Sequence, residues 1–262
     1  MNSSKSKPKS SKVKPANILV LLDVSGSMDP NWGSTCKCSE EFIKEQKNIF
    51  KDTKSSITIL TFNNYIKVLN KKENLKTFKL NIRDIVPSGY TSLYDAILES
   101  KQYLSSSTKN FIVIITDGED TSSTKTKKEC SDFIEKCKKE LVEVIYLGIN
   151  IDSTEATSLG INNTFDSTFD NLELKLTRGV SSLIRRKSIE PDYDRQVSVP
   201  ITDSEKKNIE EKVTLQRIKR QRIKRPILIT RQNANPDWLN ELSVSDIPED
   251  IPEDMPTELP SF

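Results

Sequence analysis

The chain has 262 residues, 34% of them hydrophobic and 30% charged, with a net charge of +2 and no histidine. That fits one globular domain with polar extensions, and the missing histidine excludes Ser-His-Asp and Cys-His catalysis and removes the commonest zinc ligand. The longest apolar run, Ile18–Leu22, stops at Asp23 and is far short of the roughly 20 residues of a membrane span, so the expectation is a cytoplasmic or nuclear protein with no membrane contact.

Residues 1–15, rich in Ser and Lys, read as a disordered basic arm. Residues 16–187 then alternate two apolar patterns. "NILVLL", "SSITILTF", "FIVIIT" and "VEVIYLGI" are short, β-branched and nearly continuous, as strands buried on both faces of a mostly parallel sheet should be. "YIKVLN" (Tyr65–Asn70) alternates instead and follows "NN", which predicts an antiparallel edge strand paired with Ser56–Phe62. Between these runs lie stripes at helical spacing: Phe42, Ile43, Ile49 and Phe50; Leu93, Ala96, Ile97 and Leu104; Cys130, Phe133, Ile134, Cys137 and Leu141; and Leu172, Leu176, Val180 and Leu183. Strands alternating with helices predict a doubly wound α/β sheet with helices on both faces.

Residues 188–262 form a polar C-terminal extension with a different pattern. Thr202-Asp-Ser-Glu205 reads as a capping box opening a charged helix through about Lys212. A tandem basic repeat, "RIKRQRIKR", follows at 217–225, with a short strand expected in "PILIT". The tail 247–262 places Pro248, Pro252, Pro256 and Pro260 four apart, each after an apolar residue, and is expected to be extended, acidic and disordered.

In an open α/β sheet, ligands collect at the carboxyl ends of the strands. Asp23 ends the first strand, "TDGED" (Thr116–Asp120) follows the strand Phe111–Ile115, and "SGYTSLYDA" places Thr91 just before a helix. Three loops on one edge can therefore supply Asp23, Ser25, Ser27, Thr91 and Asp117, with Gly26 easing the Asp-x-Ser-x-Ser turn. Two carboxylates and three hydroxyls are hard oxygen donors and suit Mg²⁺ or Mn²⁺. Glu119, Asp120 and Asp29 read as solvated loop charges, and Asp95 as a carboxylate serving the first turn of its own helix. Cys130 and Cys137 lie on an apolar stripe, and Cys36-x-Cys38 is tighter than zinc-finger spacing, so buried thiols are expected rather than a zinc site or a disulfide.

"DVSGSM" (Asp23–Met28), "GYTSLYDA" (Gly89–Ala96) and "TDGED" (Thr116–Asp120), in that order, resemble a von Willebrand factor type A domain over residues 16–187. The resemblance implies a metal-ion-dependent adhesion site at Asp23, Ser25, Ser27, Thr91 and Asp117. Ser25 and Ser27 would ligate directly, Thr91 directly in the ligand-competent state, and the aspartates directly or through water. It also implies a non-enzymatic protein-binding module in which a partner's Asp or Glu fills an open position on the ion.

Two other readings stand beside this one. Arg217, Lys219, Arg220, Arg222, Lys224 and Arg225 form a patch suited to nucleic acid or to targeting, although no aromatic platform is interleaved with it. A Mg²⁺-dependent hydrolase or phosphotransferase using Asp23 and Asp117 lacks an evident nucleophile–base pair or a phosphate-cradling loop. The tail carboxylates Glu249, Asp250, Glu253, Asp254 and Glu258 suit either the open metal position or the basic repeat, as an autoinhibitory contact.

Overall fold

The computed structural model describes residues 12–189. The basic arm up to residue 11, and from residue 190 the expected charged helix, basic repeat and acidic tail, lie outside the described residues. Six strands form one sheet: β1 (Ala16–Asp23), β2 (Ser56–Phe62), β3 (Ile66–Asn74), β4 (Lys109–Thr116), β5 (Glu143–Ile149) and β6 (Asn163–Ser167), in the order β3-β2-β1-β4-β5-β6. Every neighbouring pair is parallel except β2–β3, so the doubly wound sheet with one antiparallel edge strand is as the sequence predicts.

The continuous apolar runs exist because both faces are covered. Ile18, Val20 and Leu22 pack in one core with α1 (Trp32–Ile49) and the last helix. Leu19 and Leu21 pack in the other with α2 (Leu93–Glu99), α3 (Lys127–Lys139) and α4 (Thr154–Ser158). Alternate side chains of β1 thus feed opposite cores. The cysteines divide the same way: Cys36 and Cys38 are buried in the first core and Cys130 and Cys137 in the second. The sheet stands between the two pairs, so the four cannot share a zinc ion, and none is in a disulfide. Among the described residues no helix is long and apolar enough to cross a membrane.

Five details differ from the sequence expectation. α2 ends at Glu99 and passes into a 3-10 turn, Ser100–Tyr103, so Leu104 lies beyond it in extended backbone and leaves the expected helical stripe. β6, "NTFDS", has no apolar run to mark it in the sequence; it is recruited as an edge by its parallel pairing to β5. β3 runs to Asn74, past an irregularity where β3 takes extra residues. There the Asn70 carboxamide accepts from Ile59 N (2.9 Å) and donates to Ile57 O (2.9 Å), standing in for a missing backbone pair. α3 ends at Lys139, and Leu141 sits beyond it at φ 61°, so it leaves the helical stripe.

The last helix is α at Leu172–Leu174, π at Lys175–Val180 and α again at Ser181–Ile189. A spacing of four residues repeated from Leu172 to Leu176 to Val180 overshoots the 3.6-residue α turn, and the wider π turn restores all three to the buried line. Ser181 Oγ closes this turn by donating to Leu176 O (3.0 Å), and it accepts from buried Gln46 Nε2 on α1 (2.7 Å).

Candidate metal centre

β1 and β4 are adjacent parallel strands in register, with Leu22 opposite Ile115, so they end side by side and Asp23 stands next to Thr116. Beyond Asp23 the chain is held on both sides: Val24 N donates to Phe62 O (2.9 Å) and Ser88 N to Val24 O (2.9 Å). Ser25 and Ser27 then enter a 3-10 turn, Gly26–Asn31. Gly26 N donates to Gly89 O (3.0 Å). A Cβ at Gly26 would lie an ordinary 3.5 Å from that oxygen, so the turn does not require glycine there. The conformational demand falls instead on Gly89, at φ 81°, where a Cβ would meet Asn64 Oδ1 at 2.0 Å.

Asp23 is fully buried. Its Oδ1 accepts from Ser25 N (2.7 Å) and its Oδ2 from Thr116 Oγ1 (2.5 Å). Burial nevertheless pushes its carboxyl from 3.8 up to about 6, with Asp117 adding to the rise. Ser25 Oγ lies 3.1 Å from Ser27 Oγ, and Ser27 Oγ donates to Asp117 Oδ1 (2.7 Å), joining loops 90 residues apart. Asp117 is also raised by burial, against the Ser27 hydrogen bond that lowers it.

Thr91, 5% exposed, is clamped through its backbone to the loop after β4. Its N donates to Thr121 Oγ1 (2.9 Å), and its carbonyl accepts from Thr121 N (2.8 Å) and Ser122 N (3.1 Å). A Cβ at Gly118 would come within 3.2 Å of Thr91 Oγ1, which places that hydroxyl against the residue following Asp117. The five sequence candidates therefore converge from three loops.

Among the described residues no group of three or more His, Cys, Asp or Glu is placed to hold a metal. The centre instead offers two carboxylates and three hydroxyls. One buried and one half-buried carboxyl, both raised above their usual range and each accepting from a hydroxyl, form with the site's serines and threonine a donor set that fits a small hard cation.

Thr116 is a residue that motif reasoning passed over. It bonds Asp23 and also accepts from Gly118 N (3.1 Å), so one hydroxyl braces both carboxylate loops. Its signal in the sequence is its position, ending the strand beside the one that Asp23 ends. The two nearby acids both depart from their expected roles. Asp120 is not merely solvated: it accepts from Tyr94 N (3.1 Å) in the first turn of α2. Asp95 reaches across to accept from Thr124 N and Lys125 N (2.9 Å each), tying α2 to the loop after β4. Glu119 and Asp29 are exposed. The basic repeat at 217–225 lies outside the described residues.

The sequence model of the von Willebrand factor type A domain matches residues 17–174. A search of curated protein sequences finds no significant match. Among solved structures, proximal thread matrix protein 1 of the mussel byssus matches with a TM-score of 0.53 and 21% identity, over 68% of this chain and 48% of that one. The same mussel protein with a zinc-occupied MIDAS motif matches with a TM-score of 0.51 and 18% identity, over 66% and 46%. The vWF domain of the type V pili tip protein Mfa5 of Porphyromonas gingivalis matches with a TM-score of 0.54 and 11% identity, over 68% of this chain and 97% of that one. The chain spans about half the length of the mussel protein. At these identities the likeness is one of fold.

Proposed function

Because the chain belongs to the von Willebrand factor type A domain family, we propose that Asp23, Ser25, Ser27, Thr91 and Asp117 hold a divalent cation, Mg²⁺ or Mn²⁺, and that the protein binds a partner protein through it. The observation that carries this is the convergence of two burial-raised carboxylates and three hydroxyls, joined across loops by the 2.7 Å bond from Ser27 to Asp117. Bound there, the cation would supply a Lewis-acidic position for one carboxylate oxygen of a partner's Asp or Glu.

The residues of the chain do the rest. Thr116 and the Ser25 amide hold Asp23 in place. Thr121 fixes the Thr91 backbone. With the hydroxyls in direct contact and the aspartates acting through water, the ion keeps much of its positive charge toward an incoming anion. One such contact is not a tight complex, and stable association requires an ordinary interface of roughly 1,200–2,000 Å². The role is binding rather than catalysis. The proposed setting is cytoplasm or nucleus, where four buried cysteines outside any disulfide suit a reducing compartment.

Calorimetric titration of Mg²⁺ and Mn²⁺ into wild type and Asp23→Ala, Ser25→Ala and Thr91→Ala tests the site, with a pull-down in the presence and absence of EDTA. The expected result is saturable binding by wild type, its loss in Asp23→Ala, and EDTA-sensitive partners. A folded wild type that binds neither ion would overturn the proposal.

A further inference from the structure

We propose that Tyr65 and Tyr90 form the apolar flank of the partner site, receiving an aliphatic residue or proline next to the metal-bound acid in an extended segment of a partner protein. This rests on the metal-dependent reading above and names the chemistry of its partner.

Among the described residues, the large apolar side chains standing exposed are Tyr65 (81%), Val68 (36%), Val86 (76%) and Tyr90 (67%). Tyr90 immediately precedes Thr91, and Tyr65 lies in the β2–β3 turn at the same end of the sheet. Their two loops are laced together. Asn63 Nδ2 donates to Ser88 O (2.8 Å), Ser92 N to Asn63 O (3.0 Å), Tyr90 N to Asn64 Oδ1 (3.0 Å) and Tyr65 N to Asn63 Oδ1 (3.0 Å). The Asn64 side chain occupies the space a Cβ at Gly89 would take. The backbone that carries the tyrosines is therefore preorganised, and aromatic rings on a fixed backbone lose little entropy on contact.

Charge chooses the side. Following the sheet from β4 to β6, the loops at this end expose Glu119, Asp152 and Asp170, and β6 exposes Asp166 one residue before its own end. The lysines nearby already face carboxylates: Lys127 Nζ lies 3.0 Å from Glu155 and Lys125 Nζ 3.9 Å from Glu129. In the opposite direction, Asn63, Asn64, Tyr65 and Tyr90 carry no charge. A segment bringing an acid to the metal is repelled from the β4–β6 side and lies over the tyrosines. What a tyrosine pair takes from an extended chain is a proline or an aliphatic side chain.

The test is an NMR titration of the full chain in saturating Mg²⁺ with two capped peptides, Gly-Ile-Pro-Glu-Gly and Gly-Gly-Gly-Glu-Gly, repeated with EDTA. In wild type the Ile-Pro peptide should bind roughly tenfold tighter, the factor expected of one well-placed apolar contact. In Tyr65→Ser/Tyr90→Ser that ratio should fall to near one. A ratio near one in wild type, or one that survives in the double variant, overturns the aromatic flank and leaves the metal site standing. Peptide binding that is absent in Mg²⁺, or that persists in EDTA, overturns the metal-dependent reading and this inference with it.

Discussion

Asp23 and Thr116 set the behaviour of the site at the level of single side chains. With its carboxyl at about 6 folded against 3.8 unfolded, Asp23 binds more proton in the folded state between those values. Metal-free protein should therefore lose stability as pH rises from about 4 to about 6, by roughly 3 kcal/mol in total. Mg²⁺ competes with that proton, so its addition should raise Tm more at pH 7 than at pH 5. Asp23→Asn should abolish metal binding, flatten this pH dependence, and make the metal-free protein more stable than wild type at pH 7. Thermal melts across pH, with and without Mg²⁺, check all three. Thr116→Val keeps the shape but removes the hydroxyl that holds Asp23. It should weaken Mg²⁺ binding by about 10–100-fold, read by the same calorimetry. The five candidate side chains are legible as a group in the sequence because short motifs fix their spacing. The roles of Thr116, Asp95 and Asp120 are not, because each depends on which strand or loop stands beside it in space.

At the level of elements, two local irregularities make sharp tests. A Cβ at Gly179 would lie 2.9 Å from Phe165 Cε1, where the last helix crosses the edge strand β6. Gly179→Ala should cost about 1–3 kcal/mol by overpacking, and Phe165→Leu in the same chain should recover part of it. Asn70→Leu would leave Ile59 N and Ile57 O without the carboxamide that serves both, at about 2–4 kcal/mol. Urea unfolding should show each loss as a shift in midpoint at constant slope. The buried strands β1, β2, β4 and β5 are legible because nearly unbroken apolar runs have one good explanation, burial on both faces. β6 and the π turn are not, since the first is stabilised by its neighbour and the second differs from an α-helix by a single widened turn. The spacing of Leu141 continues the helical stripe, although the chain leaves the helix there in a left-handed step.

For the molecule as a whole, the end opposite the site is fastened by a buried charge cluster. Glu143 Oε1 faces Lys187 Nζ at 3.5 Å and Lys109 Nζ at 3.7 Å, Asn163 Nδ2 donates to Glu143 Oε2 (3.3 Å), and Lys109 Nζ donates to Lys187 O (3.0 Å). Lys187 is 3% exposed and Glu143 7%. Glu143→Leu removes the carboxylate that both ammonium groups face and should cost about 3–5 kcal/mol. Glu143→Leu/Lys187→Met should be less damaging than the single change, and a double-mutant cycle by chemical denaturation measures the difference. At the same end Lys14 N donates to Ser188 O (3.1 Å), so the chain enters β1 and leaves the last helix side by side. The loops that carry the candidate site lie a full strand away, about 26 Å for eight residues. Tension applied between the two flanking segments would run through the Lys14–Ser188 junction and the Lys187–Glu143 contact, and would bypass the loops that carry Asp23, Thr91 and Asp117. Both ends of the described residues therefore meet at one end of the sheet, and a pull on them should open that base before it deforms the loops at the other end.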